Sequence, residues 1–321
     1  MYGVLYSAVF LFSAPYKNTN LQEENSMPYK AAKISFDGSH YIATPKENFP
    51  QGRRRRKVRP LPDAELDKKE QFETAYTESK KLPRKERKTF LLDALKDTIP
   101  DKAQREEFIA QHTERKKINA IRRKSRLSKK VHLQEWNYFC TFTYDDKKHT
   151  EETFRKSLRN TLKHLVNRKG WKHIGVWERS PEKQRLHFHG IFYIPQGGMV
   201  GEMIETKDYS TKVRRMQTAQ QNTHFLERYG RNDFQPLGSQ EEVQQSLRYL
   251  MKYIEKSGEK LVYGGDLPTY FVSDVLDEDI LCPYGVDDRK AILADDFTCC
   301  IEGELIGKVS REIIAQMPKA N

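Results

Sequence analysis

Cysteine is scarce in this chain of 321 residues, with four in all (Cys140, Cys282, Cys299 and Cys300). None are spaced C-x-x-C and two are adjacent, so neither a zinc knuckle nor a disulfide framework is expected. No apolar run approaches the roughly 20 residues that a bilayer span requires. The longest candidate, Val4 to Ala14, follows an uncharged Met1-Tyr2-Gly3 and precedes no A-x-A cleavage site, which argues against a secretory leader. Internal repeats and low-complexity tracts are missing apart from one arginine run. A Walker A loop is missing too: Gly303 to Lys308 has the wrong spacing, and Val309 stands where Ser or Thr is required. An intrinsic ATP-driven motor is therefore not expected.

What the chain has in excess is positive charge. Against 45 Asp and Glu stand 57 Lys and Arg, a formal net of +12. From Val262 to Asn321 there are 12 acidic and 5 basic residues, a net of −7, which leaves +19 for residues 1–261. Two runs dominate the basic part: Gly52 to Arg59, and Arg115 to Lys130, which holds nine Lys or Arg and no carboxylate. Such runs are usually solvated faces. The second, however, interleaves Ile118, Ile121, Leu127 and Val131, as in a basic helix able to track a phosphate backbone.

Four regions follow. Residues 1–26 read as a loosely ordered segment or an upstream-start extension. Residues 27–130 form a basic, mainly helical region, with a possible hairpin turning at Asp37-Gly38 and helix breaks at Pro83 and Pro100. Residues 131–261 alternate strands and helices and hold the chemistry. Residues 262–321 form an acidic region of short mixed elements.

Within the third region, Asn137 to Tyr144 reads as a strand from its aromatic and β-branched content. Thr150 then caps a helix whose apolar face is Phe154, Leu158, Leu162 and Leu165. Two further strands follow, His173 to Glu178 and Arg185 to Ile194. Strand alternation puts His187 and His189 on one face, and a hairpin register would bring Glu178 beside them. Two imidazoles and a carboxylate suit a divalent ion that must also bind a phosphate oxygen. A lone H-x-H among nine histidines is weak, and an exposed strand-end carboxylate is the plain alternative for Glu178.

A last helix starts at Ser239, with Glu242 in capping-box spacing, and runs through Val243, Leu247, Leu250, Met251 and Ile254. Tyr249 and Tyr253 lie one turn apart at the edge of that apolar face. Each is followed at +3 by a lysine, Lys252 and Lys256, and an ammonium beside a phenol would favour the nucleophilic phenolate. The plain alternative is a pair of half-buried tyrosines with snorkelling lysines.

Taken together, these stretches resemble the HUH superfamily of rolling-circle replication initiators and related nickases over about residues 136–260. The first motif matches Phe139 to Tyr144, the second His187-Phe188-His189 with Trp177-Glu178 and Arg185 before it, and the third Tyr249 to Lys256 with its two tyrosines. Leu186 departs from the pattern, where proline is common, and about sixty residues separate the histidine strand from the tyrosine helix.

The resemblance implies an α+β fold: a central antiparallel sheet with flanking helices in an RNA-recognition-motif-like layout. It also implies a manganese or magnesium ion on His187, His189 and Glu178, with no ATP. Tyr249 and Tyr253, aided by Lys252 and Lys256, would nick and rejoin single-stranded or hairpin origin DNA through a 5′-phosphotyrosine. DNA contact is expected of Thr141, Thr143 and Arg185, and of Arg122, Arg123 and Lys124 in the basic run. The missing helicase motif points to a phage or plasmid protein in a bacterial host cytoplasm, with host helicase and polymerase as partners. A transposase, a conjugative relaxase or a non-catalytic DNA- or RNA-binding regulator stays open.

Overall fold

The computed structural model describes residues 27–46, 62–180, 184–210, 214–256, 260–283 and 290–321. The readings for residues 1–26 and for the arginine run at 53–57 lie outside them. The chain is α+β. It opens with β1 (Tyr29–Phe36) and β2 (Tyr41–Thr44), then α1 (Asp63–Ser79), α2 (Arg87–Ala94) and α3 (Lys102–His132). Next come β3 (Tyr138–Thr143), α4 (Glu151–Lys169), β4 (Lys172–Arg179), β5 (Leu186–Tyr193), β6 (Met203–Ser210), β7 (Arg215–Asn222), α5 (Thr223–Arg228), β8 (Asn232–Pro236) and α6 (Gln240–Lys256). The chain closes with β9 (Val262–Gly264), β10 (Tyr270–Val275), β11 (Ile280–Pro283), β12 (Ala291–Leu293), β13 (Thr298–Ile301), β14 (Glu304–Lys308), α7 (Arg311–Gln316) and β15 (Lys319–Ala320).

Local chemistry sets the ends of these elements. Asp101 accepts from the Gln104 amide and caps α3, while Thr150 and Thr153 form a reciprocal capping box on α4, which stops at a left-handed Gly170. Helix α6 starts as its spacing predicts: the Glu242 amide donates to Ser239, and the Ser239 amide donates to the Glu242 carboxylate.

The hairpin of β1 and β2 turns at Asp37, as its sequence suggests. Its outer pairings were not legible in the sequence. β1 pairs with β10 and β2 with β12, so strands from the two ends of the chain share one sheet. A register between strands more than two hundred residues apart has no turn to announce it.

The second sheet, in the order β8-β3-β5-β4-β9, is antiparallel throughout. Cys140, Phe142, Trp177, Phe188 and Phe192 point to one face and pack with Phe154, Leu158 and Leu162 of α4 and with Phe225 of α5. Ile174, Val176 and Ile191 point to the other, beneath Leu127 and Val131 of α3 and Val243, Leu247, Leu250 and Ile254 of α6. Each such side chain contributes about 1.5 to 3 kcal/mol when fully buried. Helix α6 is thereby fixed across the face that carries the histidines. At the sheet centre Gly175 faces Gly190, and a Cβ on Gly175 would fall 2.2 Å from the Phe188 ring, so this close crossing of β4 and β5 requires glycine.

His173 is buried and stacks on Phe192 with ring centroids 5.5 Å apart. Burial pushes its pKa from the ordinary 6.5 down to about 4. His132 shifts equally far, through burial and then the charge of Arg311. The unfolded chain takes up protons below about pH 6.5 that the folded chain refuses until about pH 4. Stability is therefore full above that window and lost progressively as pH falls through it, by on the order of 3 kcal/mol for His173 alone. Denaturant melts at pH 7 and pH 4.5 test this, and His173→Phe should flatten the dependence.

Candidate functional site

The register of the second sheet builds two rows of side chains on the face under α6. Thr143 of β3 lies opposite His187 of β5, which lies opposite Glu178 of β4. One step along, Asp233 of β8 lies opposite Thr141, which lies opposite His189. The short connection between β4 and β5 therefore does what the sequence suggested, bringing the carboxylate beside both imidazoles.

The two threonines were expected to touch DNA. Their hydroxyls are instead engaged with the histidines: Thr143 Oγ1 lies 2.8 Å from His187 Nδ1, and Thr141 Oγ1 lies 3.0 Å from His189 Nδ1. A hydroxyl can donate or accept, so it fixes each ring's orientation whichever tautomer is present. Both Nε2 atoms are left for other partners. His189 Nε2 lies 3.0 Å from Glu178 Oε2.

Helix α6 brings the phenols to the same carboxylate. The Tyr249 hydroxyl donates to Glu178 Oε2 at 3.0 Å. Its ring lies edge-on to His189 (centroids 5.3 Å) and to Phe139 (5.5 Å). The Tyr253 ring lies parallel to His189 at 6.4 Å and 5.0 Å from Tyr249. Three stretches separated by up to 75 residues thus meet around Glu178 and His189.

Burial alone would raise the Glu178 carboxyl, but hydrogen bonds from His189, Tyr253 and Tyr249 outweigh it and hold the pKa below the usual range. Burial, assisted by the charges of His189, Arg185 and Arg231, outweighs Glu178 at His187 and pushes its pKa down to about 4, so this imidazole is neutral at pH 7. Both phenols shift upward. At Tyr249 burial, the Tyr253 hydrogen bond and Glu178 all disfavour phenolate; at Tyr253 burial and Glu178 do so against a hydrogen bond from Tyr249.

This corrects the reading of the doubled Tyr-x-x-Lys. The nearest charge set against the phenols is the Glu178 carboxylate, Lys252 is exposed, and the Lys256 side chain lies outside the described residues. Helical spacing gives the azimuth of a side chain, not what the opposing strand presents to it.

Arg185 is committed within the protein. Its Nη2 donates to the Tyr144 carbonyl, its Nη1 lies 3.2 Å from Asp146 Oδ2, and its guanidinium lies 4.9 Å over the Tyr144 ring. It clasps the end of β3, and its charge still acts on His187. Arg122, Arg123 and Lys124 lie on α3, away from the histidines. Arg122 is exposed, while Arg123 is half-buried with its Nε donating to the Asn119 carbonyl at 3.3 Å and its charge reaching Tyr263 beside β9.

Among the described residues no three His, Cys, Asp or Glu side chains converge closely enough to hold an ion as they stand. The rings of His187 and His189 are 6.0 Å apart, and His189 is bonded to Glu178 instead. The donor chemistry nonetheless fits a divalent cation. Two imidazoles oriented through Nδ1 offer Nε2, and an ionised carboxylate sits on the same face. Ligation would replace the His189–Glu178 hydrogen bond.

Sequence reading missed β8 altogether, and with it Arg231 and Asp233 on this face. The strand is five residues long and ends in Pro236, which suits an edge position and leaves almost no periodic signal.

Residues 137–258 match the model of a family described as replication-associated proteins of the ORF2 type. The match runs from the start of β3 to the end of α6 and so contains every residue of the cluster. No curated protein and no solved structure matches the chain. The family match supports a replication-associated protein.

Proposed function

We propose that the chain initiates replication by nicking and rejoining single-stranded DNA through a covalent tyrosine intermediate. The observation that carries this reading is the convergence on Glu178: its Oε2 lies 3.0 Å from both the Tyr249 hydroxyl and His189 Nε2, inside the segment similar to replication-associated proteins.

A phenol oxygen of Tyr249 or Tyr253 attacks the scissile phosphorus, and the bond from phosphorus to the 3′ oxygen breaks. The products are a 5′-phosphotyrosyl protein and a 3′-hydroxyl. The attacking phenol sheds its proton into the hydrogen-bonded set of Glu178 and the second tyrosine, and the departing 3′ oxygen takes one up. The phosphoryl bond is conserved in the adduct, so rejoining needs no ATP. With ring centroids 5.0 Å apart, the two phenols can serve successive transfers at one place.

His187, His189 and Glu178 would hold a manganese or magnesium ion, whose chemistry is to withdraw charge from the phosphate. Two imidazoles tilt the choice towards manganese. Thr141 and Thr143 keep the imidazoles aimed. Arg122, Arg123 and Lys124 add affinity for the DNA backbone by releasing counterions. The substrate is an unpaired or hairpin-extruded origin, opened and copied by host helicase and polymerase in a bacterial cytoplasm. No helix among the described residues is long and apolar enough to cross a membrane.

Chelation tests the reading. EDTA should abolish nicking while leaving DNA binding in place, and manganese should restore it. Binding without nicking under any divalent ion would instead indicate a regulator.

A further inference from the structure

The row that contains His187 does not end at Thr143. β8 pairs with β3 on its other side: Phe142 faces Asn232, Thr141 faces Asp233, and the Thr143 amide donates to the Arg231 carbonyl at 2.9 Å. Strand alternation puts Arg231 and Asp233 on one face, the face of Thr141, Thr143 and the histidines. The row across the sheet therefore reads Arg231, Thr143, His187, Glu178.

Arg231 is exposed, and its charge acts on His187. The other cation acting there, Arg185, spends its guanidinium on the Tyr144 carbonyl, Asp146 and the Tyr144 ring. Asp233, one row further in, accepts from the Gln220 amide at 3.2 Å and from Gln235 Nε2 at 2.9 Å. Those hydrogen bonds direct the Asp233 carboxylate at protein donors. The solvent-facing end of the row thus carries a guanidinium, whose planar fork of N–H donors matches the non-bridging oxygens of a phosphodiester.

We propose that Arg231 is a phosphate-binding residue of the site, holding a DNA backbone phosphate at the open end of the row formed with Thr143, His187 and Glu178. The inference rests on the nicking reading for its substrate, but it concerns binding and can be measured without metal or turnover. Arg231 sets where the strand enters, so that the linkage lying over His187 and His189 meets the phenols of α6. It also gives β8 a role that explains why an edge strand from a distant part of the sequence is inserted beside β3.

The probe is tetrathymidylate, short enough to report on one local contact, titrated in EDTA while the histidine ring resonances are followed by NMR. The His187 signal is assigned by its loss in His187→Ala. Tetrathymidylate should move that signal in the wild type. Arg231→Ala should weaken the response about tenfold, the effect of losing one charge-assisted contact. Arg231→Lys should recover most of it, and Arg159→Ala, an exposed arginine on α4 across the sheet, should change nothing. Because Arg231 is exposed, thermal melts of Arg231→Ala should match the wild type.

An unmoved His187 signal in the wild type, an unchanged affinity in Arg231→Ala, or an equal loss in Arg159→Ala would each overturn the inference. If Arg231→Ala binds normally while the wild type forms a covalent adduct, the arginine alone is misassigned. If the wild type and Arg231→Ala respond as expected but no adduct forms with manganese or magnesium, the nicking reading fails and the phosphate contact stands.

Discussion

Phenylalanine at both Tyr249 and Tyr253 removes the covalent protein–DNA adduct, with a loss on the order of 10³-fold or more, because no nucleophile is left within the pocket. Each single variant keeps one phenol beside His189 and retains part of the first nick, while the second transfer fails. The two rings fill the same volume without their hydroxyls, so packing against Phe139 and His189 persists. Glu178 keeps its hydrogen bond to His189. Far-ultraviolet circular dichroism and DNA affinity should therefore be unchanged in the double variant. Binding and chemistry separate cleanly in this experiment, which a merely structural pair of tyrosines would not allow.

Alanine at His187 should cost a similar factor, on the order of 10³-fold in nicking, because it removes a nitrogen donor that is already neutral at pH 7 and aimed by Thr143. Thr143→Val is the graded companion. It keeps the imidazole and removes the hydroxyl that orients it, a change expected to cost about 10- to 100-fold in metal affinity. The valine variant should recover when manganese is raised, and the alanine variant should not. Titrating nicking against manganese for both distinguishes a ligand from its support. Full activity in His187→Ala would remove that histidine from the site.

The chemistry of this chain was legible in its sequence wherever it depended on local periodicity. Strand alternation put His187 and His189 on one face, a short connection brought Glu178 level with them, and helical spacing set Tyr249 and Tyr253 one turn apart. What was not legible came from pairings between distant segments. The partnership of Thr141 and Thr143 with the histidines depends on the register of β3 against β5, across an intervening helix and strand. The upward shift of the phenols depends on what β4 presents to α6. β8 returns to the sheet after the β6–β7 ribbon, so Arg231 and Asp233 carry no local sign of where they will lie. The same limit explains why the N-terminal hairpin could be read and its partners β10 and β12 could not.

The most direct measurement is to incubate the protein with manganese and oligonucleotides tiling both strands of its replicon, isolate any denaturant-resistant adduct, and map the modified residue by mass spectrometry. A nucleotide attached through its 5′ phosphate to Tyr249 or Tyr253, with a released 3′ end that a polymerase extends, is the predicted result. An adduct on a residue outside α6, or cleavage that leaves no protein attached to the DNA, would contradict the account.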